Sequence, residues 1–109
     1  MVMDLIQLSA ALKALGDPTR LKIIALLNQR DCCVCELVPI FGISQPSISR
    51  HMSRLKTENL VKETRKGQWV FYSLNRTTIE KIGISLSQLP DCKQDFEMLK
   101  EANLSITCE

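Results

Sequence analysis

Apolar residues recur along this chain with two different periods, and the change of period marks its elements. Leu5, Leu8, Leu12 and Leu15 fall at helical spacing. They predict an amphipathic helix over residues 3–15, ended by Gly16. The stretch "GDPTRLKIIALL" restarts a helix. Asp17 is suited to cap it, and Pro18 sits where its missing N–H costs nothing. Leu21, Ile24 and Leu27 should then face the core. A short third helix is expected from Val34 to Phe41, broken by Gly42. In "GISQPSISRHMSRLKTENLV", Ser44 is a good N-cap and Pro46 lies in the first turn. Ile48, Met52 and Leu55 make one apolar stripe at i, i+4 and i+7. Ser47, Arg50, Ser53 and Arg54 lie on or near the other side. Helix, glycine turn and polar, basic second helix, over residues 34–57, form the helix-turn-helix pattern.

The period then falls to two. In "LVKETRKGQWVFYSL", two β-prone runs flank Lys66-Gly67, where glycine tolerates a tight hairpin turn. This hairpin, residues 60–74, reads as the wing of a winged helix-turn-helix, with Arg65 and Lys66 at its tip. In its second strand Trp69 and Phe71 alternate with Gln68, Val70 and Tyr72, and one of those faces should cover the core. Beyond it, Ile79, Ile82, Leu86 and Leu89 make another helical stripe, interrupted by Pro90. Phe96, Leu99 and Ala102 continue a shorter one, so residues 77–104 read as helical. The terminal helices carry more apolar surface than so small a core needs, and a two-fold homodimer is its natural use. The expected fold is mostly α with a small β-hairpin: one winged helix-turn-helix domain over residues 1–109, dimerising through its N- and C-terminal helices.

Composition narrows the class. The 109 residues suffice for one domain and are too few for two, and 45% hydrophobic with 24% charged residues is a globular balance. The net charge of +2 decides nothing, but its distribution does. From Ser44 to Arg76 seven basic residues face two acidic ones, whereas from Thr77 onward three basic residues face six acidic ones. A basic middle and an acidic tail suggest one polyanion-binding face and a separate part with another job. The N-terminus lacks the basic start of a signal peptide, and no apolar run approaches a membrane span, so a cytoplasmic protein with reduced thiols is expected. Double-stranded DNA is the expected partner. Ser44 and the helix start can hold a phosphate, while Gln45, Ser47, Ser49 and Arg50 are positioned to reach base edges. Arg54, Lys56, Arg65 and Lys66 would neutralise phosphates, and His51 borders the apolar stripe as a packed or phosphate-contacting residue.

The cysteines add chemistry. Three of the five lie in "RDCCVCELV", as Cys32, Cys33 and Cys35. An odd number fits poorly with disulfides, and no second cysteine or histidine pair completes a zinc set. Buried core thiols would account for one or two of them. A soft three-coordinate ion such as arsenite or antimonite needs only three thiolates. On a regular helix Cys33 and Cys35 would point roughly 200° apart, so sharing an ion would require the helix start to unwind. Cys32 and Cys35 could share one face without unwinding.

These stretches together resemble the arsenical-resistance repressors of the ArsR/SmtB family. "LKALGDPTRLKIIALL", "CVCELV", "SQPSISRHMSRLKTENLV" and "RKGQWVFYSL" stand in the family's order and spacing over residues 5–80. The resemblance implies a homodimeric winged-helix repressor, with no enzymatic activity and no organic cofactor. Arsenite or antimonite on Cys33 and Cys35 would release its operator DNA. The third cysteine of the best-known arsenite sensors falls here on Val38, so Cys32, Cys92 or Cys108 is left to complete the site. Relatives that sense cadmium or lead add cysteines from an N-terminal arm, and this chain has none before Cys32. Zinc sensors of the family use Asp and His of the last helix, whereas the one histidine here is His51. A cadmium- or lead-responsive or a thiol-redox repressor of the same fold is the alternative, although Asp31 and Glu36 disfavour the thiolates that oxidation needs. A Cys-His enzyme finds no orienting motif, and a plain interaction module without a ligand is the remaining reading.

Overall fold

A computed structural model describes residues 3–104. Helix α1 spans Leu5–Leu15, and a capping box starts it: Gln7 N–H donates to Asp4 Oδ1 at 2.7 Å, and Asp4 N–H to Gln7 Oε1 at 3.2 Å. Helix α2, Pro18–Gln29, is capped by Asp17, which accepts from Arg20 N–H at 3.0 Å. That bond holds the Asp17 carboxyl below its usual range. Helix α3, Val34–Phe41, ends at Gly42 with φ +66°, a left-handed turn that only glycine takes without strain. Helix α4, Gln45–Thr57, starts from Ser44, whose Oγ accepts from Ser47 N–H at 3.3 Å.

The hairpin consists of β2, Val61–Lys66, and β3, Trp69–Leu74, paired from Val61↔Leu74 to Lys66↔Trp69. Its loop is Gly67-Gln68, and Gly67 has φ +60°. A third strand joins it. Cys32–Cys33 form a two-residue β1 that pairs antiparallel with β3, giving the order β1-β3-β2. Strand β3 is therefore central. Its neighbours Phe71 and Tyr72 point to opposite faces, and both are buried, so both faces are covered there rather than one.

The core forms around α2, where every residue from Ile23 to Leu27 is buried. Leu37 of α3 and Ile48, Met52 and Leu55 of α4 close on it, each with no exposed surface. The C-terminal stretch departs from the continuous stripe expected of residues 77–89. Helix α5 covers only Arg76–Ile82 and stops at Gly83, which has φ +90°. A single 3-10 turn follows at Leu86–Gln88, then helix α6 at Lys93–Glu101. Glycine without a side chain to hold the helix ends it before Pro90 can. Among the described residues no helix is long and apolar enough to cross a membrane.

Candidate functional site

Helix α4 presents the face its sequence implied. With Ile48, Met52 and Leu55 turned inward, Ser44, Gln45, Ser49, Arg50 and Arg54 are exposed and Ser47 is half-buried. Arg50 Nη2 donates to Ser47 Oγ at 3.2 Å, and Ser44 Oγ donates to the same oxygen at 3.0 Å. A polar cluster thus stands at the helix N-terminus, where amide N–H groups and the helix dipole favour anions. Arg65 and Lys66 are exposed at the end of β2. Lys56, also exposed, pairs within the fold. Its Nζ lies 3.0 Å from Glu63 Oε2, and Glu63 Oε1 accepts from the Tyr72 hydroxyl at 2.8 Å. The Lys56 bond holds the Glu63 carboxyl low, and this contact fixes the wing to α4.

His51 is turned toward the protein. Its Nδ1 lies 3.2 Å from Arg20 Nη1 and 4.0 Å from Asp17 Oδ2, while Arg20 Nε donates to the Ala14 carbonyl at 2.6 Å. A guanidinium only donates, so that contact requires the lone pair of Nδ1. His51 therefore seats α4 on the turn between α1 and α2. Sequence reasoning did not single out Arg20.

The thiols separate into different environments. Cys33 is the N-cap of α3, with extended backbone at φ −86° and ψ 150°. It is not a helical residue, so the expected divergence of Cys33 and Cys35 does not arise. Their sulfurs converge to 2.7 Å with no unwinding. Cys33 is buried and Cys35 is exposed. Although the residue is exposed, partial desolvation of its sulfur first, then the hydrogen bond to the Cys33 thiol, pushes the Cys35 thiol up to about 12. Cys32 precedes Cys33 in β1 and points to the opposite face, into the core, where it donates to the Arg30 carbonyl at 3.5 Å. Burial pushes its thiol up to about 12 as well. Cys92 lies against α2: its N–H donates to Gln29 Oε1 at 2.7 Å, its sulfur faces the Pro90 carbonyl at 3.7 Å, and burial raises its thiol. Cys108 lies outside the described residues. Among the described residues no three Cys, His, Asp or Glu side chains form a group that could hold a metal ion.

Two further residues shape the pair. Glu36 has no exposed surface. Its Oε1 accepts from Cys33 N–H at 3.0 Å, and its Oε2 lies 2.7 Å from Arg30 Nη2. Glu36 follows Cys33 by three residues, the spacing of a capping box. The sequence signal was present, but a cysteine occupied the usual Ser/Thr position. Pro39, inside α3, lacks the N–H that would bond to the Cys35 carbonyl, so the first turn of α3 is held by one bond fewer.

A recognition helix seated after a glycine turn, with a basic β-hairpin beside it, defines a winged helix-turn-helix DNA-binding protein. Similarity to known proteins agrees and narrows the class. Residues 17–63 match the family described as bacterial regulatory protein, arsR family. The chain is 44% identical over 68 residues to the transcriptional repressor SdpR of Bacillus subtilis, covering 62% of this chain and 76% of that one. It is 39% identical over 80 residues to an arsenical resistance operon repressor of Staphylococcus xylosus, covering 73% and 77%. Among solved structures, HlyU from Vibrio cholerae superimposes with a TM-score of 0.62 at 28% identity, over 70% of this chain and 85% of that one. The chain belongs to the ArsR family of DNA-binding transcriptional repressors and is not an enzyme.

Proposed function

We propose that this repressor controls an arsenic-resistance operon and leaves its operator when arsenite or antimonite binds Cys33 and Cys35. The observation that carries the reading is the convergence of these two sulfurs to 2.7 Å at the start of α3. Thiols are the ligands a soft metalloid prefers. Arsenous acid condenses with them: each As–O bond gives way to As–S, and each thiol proton leaves with the departing oxygen as water. Cys32 and Cys92 are both buried in the core, so a third thiolate from either would need its segment to shift, and Cys108, of the same chain or of a second copy, is the other source. Arsenical resistance repressors among the relatives support this inducer class.

The site's position supports a route to DNA. Cys33 pairs with Phe71 in the central strand of the wing sheet, and α3 leads directly into the turn before α4. A ligand that reshapes the first turn of α3 acts on both elements. Gln45, Ser47, Ser49 and Arg50 would read base edges, Ser44 would hold a phosphate, and Arg54, Arg65 and Lys66 would contact the backbone. Two copies would join through α1 and α6, where Leu5 and Ile6 are more than four-fifths exposed and Met98, with Leu104 just beyond α6, is also uncovered. The test is a gel shift on the promoter of the chain's own operon, titrated with arsenite, antimonite, cadmium and peroxide. Release by arsenite or antimonite at concentrations where cadmium and peroxide leave the complex intact supports the reading. Release by peroxide alone moves the protein to the thiol-redox class.

A further inference from the structure

Among the partners of the buried Glu36 carboxylate are two groups that lead in different directions. One is the backbone N–H of Cys33, at 3.0 Å. The other is the Arg30 guanidinium, at 2.7 Å from Oε2 and 3.4 Å from Oε1. Arg30 then lies over the ring of Phe96 in α6, with its central carbon 4.3 Å from the ring centroid. This is cation–π distance. A continuous chain of contacts therefore runs from the thiol pair to α6: Cys33, Glu36, Arg30, Phe96.

We infer that Glu36 is the positioning residue of the thiol pair, and that Arg30 and Phe96 carry the pair's ligand state to α6. The inference rests on the proposed inducer site and adds its coupling. Cys33 cannot move off its N-cap geometry without pulling on the bond to Glu36. Glu36 is fully buried, so its carboxylate is held by protein groups rather than by bulk solvent. Its carboxylate also grips Arg30, so a displacement of Cys33 reaches the guanidinium. The guanidinium sits on the ring of Phe96, and α6 exposes Met98 for the second copy. Ligand at the thiols thus biases the dimer face, which sets the spacing of the two recognition helices.

Three variants of the full chain separate positioning from coupling. Glu36→Gln keeps an oxygen for Cys33 N–H but turns an amide toward Arg30, so the thiol pair stays placed and the link to α6 is cut. Phe96→Leu keeps apolar volume in α6 and removes the ring under Arg30. Glu36→Ala removes both functions. Two quantities are measured: arsenite affinity of the free protein by calorimetry, and the ratio of operator dissociation constants with and without saturating arsenite. Sedimentation checks that each variant keeps the oligomeric state of the wild type. Glu36→Gln and Phe96→Leu are expected to bind arsenite within about threefold of wild type while their coupling ratio falls by about fivefold or more. Glu36→Ala is expected to lose about tenfold or more in arsenite affinity, the usual effect of removing the partner behind a ligand. Wild-type coupling ratios in both Glu36→Gln and Phe96→Leu overturn the inference and leave the inducer site intact. A wild-type protein that binds no arsenite overturns both.

Discussion

Replacing one thiol of the pair should abolish sensing and spare DNA binding. Cys35→Ser is the cleaner change, because Cys35 is exposed and outside the core, so its cost in stability should stay within about 0.5 kcal/mol. Cys33→Ser is also mild in principle: serine is a stronger N-cap than cysteine, and the bond from residue 33 N–H to Glu36 is a backbone bond that the substitution keeps. The loss in affinity is that of a chelate. With the sulfurs 2.7 Å apart, the second As–S bond forms within the same site and needs no second encounter. Removing one thiol forfeits that advantage, about 100-fold to about 10,000-fold in affinity, or roughly 3 to 5.5 kcal/mol. Operator affinity without arsenite should not change, since neither sulfur lies on α4 or on the wing hairpin. The assay is fluorescence anisotropy of a labelled operator duplex, titrated first with protein and then with arsenite. Release of both single variants at the wild-type arsenite concentration would refute the reasoning. So would loss of operator binding by Cys35→Ser before arsenite is added.

Three other outcomes are expected. Arg50→Ala should weaken binding to the operator by about 1 to 3 kcal/mol and to random DNA by much less if the exposed Arg50 reads base edges as proposed; equal losses on both duplexes reassign it to phosphate. Ile6→Glu, at a position 83% exposed, should leave the protomer folded by circular dichroism and shift sedimentation toward monomer, and an unchanged sedimentation coefficient rules α1 out of the interface. The Cys35 thiol, raised to about 12, stays protonated at neutral pH. A divalent cation must displace those protons, so cadmium affinity at the pair should climb about tenfold per pH unit for each proton released. Arsenous acid carries the protons away in water, so its affinity should stay nearly flat between about pH 6 and about pH 8; calorimetry at both ends of that range checks the contrast.

Most of the fold could be read from local pattern. Periodicity located α1, α2, α3, α4 and the hairpin, because each satisfies its backbone within a short stretch and carries its own cap: Asp4, Asp17, Ser44, and Gly42 as a stop. The C-terminal stripe misled because Ile79, Ile82, Leu86 and Leu89 do face the core, from a helix, a 3-10 turn and the bend after it in succession. Burial repeats at helical spacing there without a helix. Arg20 and Glu36 escaped for different reasons: the partner of Arg20, His51, is thirty-one residues away and defined by packing, which no propensity reports, whereas Glu36 stands at capping-box spacing behind a cysteine where Ser or Thr is usual.

The "CCVC" stretch turns on a strand of two residues. Cys32 and Cys33 have no strand signature of their own, and their conformation comes from pairing with Tyr72 and Phe71 about forty residues later in the chain. Once Cys33 is extended, strand alternation gives the cysteines different roles. Cys32 points inward and fills the core, and Cys33 points to the other face. The helix begins one residue later, so Cys35 lies in its first turn and swings back over the N-cap, bringing its sulfur to that of Cys33. Treated as helical throughout, the same four letters pair Cys32 with Cys35 and separate Cys33 from it. Which thiols converge therefore depends on the position of the strand-to-helix junction, and pairing of β1 with β3 of the wing holds that junction. A substitution in β3 that weakens β1 pairing, such as Phe71→Gly, should accordingly lower arsenite affinity from a position outside the thiol pair.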